Sequence, residues 1–156
     1  MHEIAAAGGE IIIVDAEDFA LLGELPWHIT RGGYARRSIP HPRLRGRQVW
    51  QQIHRAIMGL AYGDPRQVDH INGNKLDNRR CNLRVCTKAE NVRNRGAQAN
   101  NVTGLKGVCL HRGKWKAQIS HRGRRRDLGY FASPQLAHEF YCLAADLLHG
   151  EFARHA

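Results

Sequence analysis

Hydrophobic and polar positions follow strand-like and helix-like periods in the first part of the chain. The β-branched run IIIV at residues 11–14 predicts a strand, and Asp15 follows as a candidate N-cap for a short helix over AEDFALL. Residues 27–30 and 34–37 flank turn-forming residues and predict an irregular hairpin. The chain therefore opens with a strand, a helix and a hairpin.

A helical spacing precedes a polar loop in the middle of the chain. Apolar side chains at positions 49, 50, 53, 57 and 60 predict a helix that carries His54. From Val68 an apolar step leads into the loop DHINGNKLDNRRCN and then into the apolar run LRVC. Thr87 and Glu90 have the spacing of a capping box, which starts a helix. The predicted order is strand, long loop, strand, helix.

Residues 96–103 are polar and lack periodicity, which predicts a linker between domains at 1–95 and 104–156. In the second domain, three short strands are separated by Arg-Gly turns, and apolar and polar side chains alternate along the middle strand. A helix follows, from a Ser133 cap to Gly150. The sequence therefore predicts an α+β protein whose second domain is a three-stranded antiparallel sheet packed on one helix.

Charge is distributed unevenly along the 156 residues. Residues 1–30 contain six acids and no Lys or Arg, so residues 31–156 carry 24 basic and 8 acidic side chains within a total of +10. Such a basic chain attracts polyanions, and nucleic acid is the expected partner. No apolar run approaches the roughly 18 residues of a membrane span, and the start lacks the pattern of a secretory signal. We expect a soluble, intracellular protein with no membrane partner.

The polar loop and the helix after it hold residue types suited to phosphodiester hydrolysis. Asp69 and Asn91 offer oxygen ligands of the kind that hold Mg²⁺ or Mn²⁺. The imidazole of His70, with an ordinary pKa of about 6.5, suits the activation of water near pH 7. Asn82 precedes the second strand, and a hairpin packed on the helix would bring these residues together. Each has a structural explanation when taken singly, so the hypothesis depends on their spacing.

The segments DHINGNKLDNRRCNLRV and AENVRN resemble the signature of the HNH homing endonucleases of phages and introns, over roughly residues 10 to 95. The resemblance implies a ββα-metal, or His-Me finger, fold that nicks or cuts DNA to leave a 5′-phosphate and a 3′-hydroxyl. It implies Asp69 and Asn91 as ligands of Mg²⁺ or Mn²⁺, and His70 as general base. Asn82 would pin the loop and orient the base.

His54 is a supporting residue for which three roles stay open. The three roles are packing under the site, contact with DNA, and a hydrogen bond that supports a metal ligand. Five arginines flank the motif and are expected to hold phosphates: Arg79, Arg80, Arg84, Arg93 and Arg95.

The second domain resembles the Apetala-type, or ethylene-response-factor, DNA-binding domain over roughly residues 103 to 153. The likeness lies in GLKGV, the W-x-A-x-I strand, LGYF and the helix pattern A-x-x-x-Y-x-x-A-A. It implies a sheet that enters the major groove of DNA with its polar face. Strand parity places Cys109, His111, Gln118, Ser120, Arg125 and Asp127 on that face, with Arg112, Lys114, Lys116, Arg122 and Arg124 at its turns and edges.

Two functions from different classes remain open. The first is a sequence-targeted, metal-dependent DNA endonuclease, a homing or phage-borne enzyme in the cytoplasm of a bacterial or phage-infected cell. The second is a non-cleaving transcriptional regulator with a degenerate nuclease domain. The intact set of Asp69, His70, Asn82 and Asn91 favours the enzyme, because a regulator has no need of it. Double-stranded DNA is the expected partner of a monomer that takes no small-molecule substrate.

Overall fold

The computed structural model describes residues 1–94, 96 and 101–155, and it divides the chain into two units, Met1–Asn91 and Val92–Ala156. The predicted linker at 96–103 falls in the second unit, and its residues 97–100 lie outside the described residues. Both units combine strands with helices. In the part of the chain that is described, no helix is long and apolar enough to cross a membrane.

Short strands and short helices alternate in the first unit. They follow in the order β1 (His2–Ala5), β2 (Ile11–Val14), α1 (Ala16–Leu22), β3 (His28–Ile29), β4 (Ala35–Pro40), β5 (Gln48–Gln52), α2 (Ile53–Ile57), β6 (Gln67–His70), β7 (Leu83–Cys86) and α3 (Lys88–Arg93). The last residues of α3 pass into the second unit. The strands form an antiparallel β1–β2 pair, an antiparallel β3–β4–β5 sheet and an antiparallel β6–β7 hairpin.

One apolar core supports all three sheets of the first unit. Trp27 is only 1% exposed at its centre, and its indole N–H donates to the carbonyl of Leu22 at 3.0 Å. Ile12 and Ile53 are fully buried in the same cluster, which also includes Val68 of β6. The hairpin that carries the loop motif is therefore anchored in the apolar core of the unit.

The predicted helix at residues 49–60 is mostly wrong. Gln48–Gln52 forms strand β5, and only Ile53–Ile57 is helical. Pairing with β4 decides this, because Trp50 and Val49 lie opposite Ser38 and Ile39. A cross-strand register is invisible in a short apolar run, where helical and strand spacings overlap.

The predicted helix at AEDFALL is confirmed, although Asp15 does not cap it through its side chain. Its carboxylate instead accepts the backbone N–H of Arg80 at 2.8 Å and so ties the start of α1 to the loop motif.

The second unit contains β8 (Val108–His111), β9 (Lys114–His121), β10 (Arg124–Phe131) and α4 (Pro134–His149). The strands form an antiparallel sheet in the order β10–β9–β8. Arg112 and Arg122 have φ of 49° and 50°, each followed by a glycine with positive φ, as two-residue hairpin turns require. Ser133 caps α4 by accepting the N–H of Leu136 at 3.2 Å. The predicted Arg-Gly turns and the predicted cap are therefore present.

One face of this sheet packs on α4 and the other does not. Val108, Ala117 and Ile119 cluster with Ala137 and Tyr141 of the helix. By the strand register, the opposite face presents Cys109, His111, Lys114, Lys116, Gln118, Ser120, Arg125, Asp127 and Tyr130.

Candidate active site

The β6–β7 hairpin of the first unit holds the Asp-His pair of the loop motif. In its register Asp69 lies opposite Arg84, and His70 lies opposite Leu83. Leu83 and the neighbouring Val68 are both buried in the core. Packing of these apolar side chains therefore sets where Asp69 and His70 sit.

The ring of His70 is only 4% exposed and is held by Asn78. Nε2 of His70 lies 3.2 Å from Oδ1 of Asn78, while Nδ2 of Asn78 donates to the carbonyl of Lys75 at 3.2 Å. The second bond orients the Asn78 amide, so its oxygen accepts from His70 and Nε2 carries the proton. Nδ1 is then the nitrogen with the lone pair.

Burial lowers the pKa of His70 below its ordinary value of 6.5. The bond from Asn78 and the charges of Asp69 and Asp77 oppose that effect, and Lys75 adds to it. The ring is therefore neutral at pH 7 and can accept a proton.

His54 and Tyr34 enclose the ring of His70 from other elements. The centroid of His54 lies 5.1 Å from that of His70 at an interplanar angle of 77°, and Tyr34 lies 5.4 Å from His54 and 6.1 Å from His70. Burial lowers the pKa of His54 to about 3, with smaller contributions from His70 and Arg55. Nδ1 of His54 is buried without a hydrogen-bond partner among the described residues. Of the three roles left open for His54, packing against the site is the one these contacts support.

The side chain of Asn82 binds the backbone of the loop at two points. Its Oδ1 accepts the backbone N–H of Asn72 at 2.9 Å, and its Nδ2 donates to the carbonyl of Asp77 at 2.7 Å. Asn78 is a side chain that contacts the ring of His70 directly. The orientation of the base by Asn82 stays a prediction.

The carboxylate of Asp69 is paired with the guanidinium of Arg84. Nε and Nη2 of Arg84 lie 3.0 and 2.8 Å from Oδ2 of Asp69, and the two side chains are only 12% and 8% exposed. A guanidinium cation therefore lies in direct contact with this carboxylate.

A reciprocal capping box sets the position of Asn91. The N–H of Thr87 donates to Oε2 of Glu90 at 2.7 Å, and the N–H of Glu90 donates to Oγ1 of Thr87 at 3.3 Å. One residue later, Nδ2 of Asn91 donates to Oε1 of Gln67 at 2.6 Å, which turns the amide nitrogen toward β6. The predicted box and helix start are thus confirmed.

The pKa of the Cys86 thiol is affected by both Asp69 and Asn91. Burial, together with the charges of Asp69 and Glu90, raises this pKa to about 11. The backbone amide of Asn91 and the charge of Arg84 act in the opposite direction.

Asp69 and Asn91 suit a hard divalent cation in their chemistry. A carboxylate and a carboxamide oxygen are the donors that Mg²⁺ and Mn²⁺ prefer, with water and phosphate completing the shell. Among the described residues, no group of three or more His, Cys, Asp or Glu side chains could hold a metal. Asp69 and Asn91 therefore stay predicted ligands of a divalent cation.

Two of the five arginines predicted to hold phosphates beside the motif, Arg79 and Arg80, make ion pairs within the first unit. Nε and Nη2 of Arg79 each lie 2.7 Å from an oxygen of Asp77. Arg80 binds Asp18 with two bonds and Glu17 with one. These contacts brace the loop, so a phosphate role for either arginine stays a prediction. Arg95 lies outside the described residues.

The sheet of the second unit carries most of the remaining predicted residues on its open face. Its register adds Lys114, Lys116 and Tyr130 to the residues that strand parity placed there. Tyr130 is 51% exposed and was missed by sequence reasoning, because the irregularity between Asp127 and Gly129 changes the parity of β10. Lys116 also pairs with Asp127 at 2.7 Å.

Comparison with known proteins identifies similar sequences. Residues 51–93 match the HNH endonuclease family. A protein of Acanthamoeba polyphaga mimivirus, described as an uncharacterized HNH endonuclease, is 28% identical over 146 residues, which are 93% of this chain and 74% of that protein. Protein 3.8 of Escherichia phage T7 is 29% identical over 109 residues, which are 69% of this chain and 85% of that protein. No solved structure shows a significant match. The match over residues 51–93 and the mimivirus relative support a DNA endonuclease.

Proposed function

We propose that the protein is a divalent-metal-dependent endonuclease that hydrolyses duplex DNA at a chosen sequence and leaves a 5′-phosphate and a 3′-hydroxyl. The observation that carries the proposal is the buried, neutral ring of His70, held in one tautomer by Asn78 and adjacent to Asp69. In this proposal β6, β7 and α3 form a ββα-metal centre.

His70 acts as the general base through Nδ1. It takes a proton from a water molecule, the water oxygen attacks the phosphorus, and the bond from phosphorus to the 3′ oxygen breaks. Asp69 and Asn91 would hold Mg²⁺ or Mn²⁺, and the bound ion would supply Lewis-acid polarisation of the phosphate and would offset charge on the leaving oxygen. Asn82 keeps the loop in place, and His54 with Tyr34 limits rotation of the His70 ring.

The second unit delivers this centre to its target as an Apetala-type DNA-binding domain. Support comes from the open sheet face, where polar and basic side chains point away from α4. We assign DNA contact to the same residues that the sequence predicted: His111, Arg112, Lys114, Lys116, Gln118, Arg122, Arg124 and Arg125. Relatives in a virus and a phage are consistent with a homing or phage-borne enzyme.

Nicking of supercoiled plasmid tests the proposal. Wild type should relax a plasmid that carries the DNA flanking its own coding sequence in Mg²⁺ or Mn²⁺, and not in EDTA. His70→Ala should lower the rate by about 10²- to 10⁴-fold, whereas His155→Ala, a surface histidine paired with Asp146, should leave it unchanged.

Two results would contradict the proposal. Nicking that survives His70→Ala would remove the role of this residue. Tight binding to that DNA by wild type without nicking in either metal would favour the non-cleaving regulator.

A further inference from the structure

The β3–β4–β5 sheet of the first unit has an outward face that the proposed chemistry does not use. By the register, this face presents Arg36, Ser38, Gln48, Trp50 and Gln52. Trp50 is 55% exposed, and the guanidinium of Arg36 stacks 3.9 Å from its ring centroid. A large aromatic side chain left in solvent beside an arginine is typical of a binding surface.

The segment around this face contains basic residues and no acidic ones. Residues 25–63 contain seven arginines and neither Asp nor Glu, whereas residues 1–24 contain six acids and neither Lys nor Arg. Two of the arginines are used within the fold. Arg55 donates to three backbone carbonyls of the segment 61–66, and Arg37 donates to Gln51.

Three more arginines project from the β4–β5 loop, which has a defined shape. Nδ1 of His41 accepts the N–H groups of Arg43 and Leu44 at 3.0 Å, and the N–H of His41 donates to the carbonyl of Arg47 at 2.8 Å. Arg43, Arg45 and Arg47 are exposed. Within the described residues, no carboxylate pairs with any of the three. Cations held in a fixed loop lose little entropy on binding a polyanion.

A cleft of about 450 Å³ adjoins Trp50 and is lined on its far side by Tyr62, which is 57% exposed. The ring of His41 lies 5.1 Å from that of Tyr62, so the loop and the cleft belong to one surface. The β5 strand leads directly into α2, whose His54 contacts the ring of His70. The surface is therefore connected within one unit to the proposed base.

We propose that the β4–β5 ribbon is a second DNA-reading surface that enters the major groove of the duplex beside the scissile phosphate. A two-stranded ribbon fits the roughly 12 Å width of that groove. Arg43, Arg45 and Arg47 contact backbone phosphates, and Arg36, Gln48 and Trp50 face the base edges. This inference rests on the proposed action on duplex DNA. It means that the target is contacted from the nuclease unit as well as from the second unit.

The salt dependence of binding tests the loop arginines. The full chain with His70→Ala is titrated onto a labelled duplex of about 30 base pairs by fluorescence anisotropy at several salt concentrations. Replacing Arg43, Arg45 and Arg47 together with Ala should make the plot of log binding constant against log salt concentration less steep by about 2 to 3. Arg66→Ala, which removes an exposed arginine paired with Asp64, should change it little.

Trp50 offers a readout that does not depend on loss of affinity. Of the three tryptophans, Trp27 is buried and Trp115 is half-buried, so Trp50 dominates quenching by acrylamide. Saturating duplex should protect the fluorescence, and Trp50→Phe should abolish most of that protection.

Unchanged salt slope in the triple variant, or equal protection in Trp50→Phe, overturns the inference. Preference of this surface for an RNA duplex over DNA overturns it as well. Plasmid nicking by wild type is scored separately. If wild type nicks the plasmid and the triple variant keeps the salt slope, only this inference fails. If the triple variant has a less steep salt slope and wild type never nicks, the proposed catalysis fails and the DNA-binding surface is supported.

Discussion

Oδ1 of Asn78 lies 3.2 Å from Nε2 of His70, and the amide of Asn78 is held by its bond to the carbonyl of Lys75. This contact selects the tautomer of the buried His70 ring. Asn78 is not one of the four site residues that were predicted from the sequence. Asn78 itself is fully buried, and its backbone N–H donates to the carbonyl of Ile13 at 2.7 Å. The orientation of the proposed base therefore depends on a strand far from it in sequence.

Asn78→Ala should lower kcat by about 10- to 100-fold, because the ring of His70 loses the partner that fixes its tautomer. KM for DNA should change little, since Asn78 is buried away from any ligand. Steady-state nicking kinetics measure both. An increase in KM with unchanged kcat would contradict a role in orienting the base.

In a plot of nicking rate against pH, the fall in rate on the acid side should lie below pH 6.5. His70 works as a base only when neutral, and burial lowers its pKa, so the rate should hold as pH falls past 6.5 and drop only on passing the lowered value. Asn78→Asp places a carboxylate at Nε2, which raises the pKa of His70 and should move this fall in rate to higher pH. Single-turnover rates between about pH 5 and 8 check this. A fall in rate at the same pH for the two proteins would argue against His70 as the titrating group.

Arg84→Ala should destabilise the first unit, because it leaves the buried carboxylate of Asp69 without its cation. Removing one partner of a buried pair costs about 3 kcal/mol or more. If Asp69 also binds a divalent cation, Mg²⁺ should raise the Tm of Arg84→Ala more than that of wild type. Thermal unfolding with Mg²⁺ and with EDTA measures the difference. Equal metal-induced shifts would count against Asp69 as a ligand.

Stability should fall in acid partly because of His54. Its pKa is about 3 in the folded protein against 6.5 ordinarily, so the unfolded chain binds the proton more readily. The neutral His54 ring contributes fully to the free energy of unfolding above pH 6.5. Between pH 6.5 and 3 this contribution falls by about 1.4 kcal/mol for each pH unit. His54→Gln lacks this term, so its free energy of unfolding should depend less steeply on pH. Urea unfolding at several pH values compares the slopes, and parallel curves would show that His54 is not buried in its neutral form.

Local patterns were the reliable part of the sequence. The IIIV strand, the capping box of Thr87 and Glu90, the Arg-Gly turns and the Ser133 cap all lie where short-range chemistry places them. Each depends on residues within a few positions of one another, so no partner strand or distant contact is needed to specify it.

Predictions failed for elements whose structure depends on pairing with another strand. Residues 48–52 have an ambiguous spacing, and pairing with β4 makes them a strand. The parity of β10 fails after Asp127, because a bulge adds one residue to that strand and brings Tyr130 to the open face.

The amino-acid sequence by itself determined the proposed chemistry of the site, because Asp69, His70 and Asn91 carry donor types and a spacing suited to metal-assisted hydrolysis. Only the tertiary structure decided how that chemistry is held. Asn78 is one of many polar residues in its loop, and nothing local distinguishes it until β2 and the Lys75 carbonyl turn its oxygen toward His70. The same holds for Arg84, whose pairing with Asp69 exists because the two face each other across the β6–β7 register.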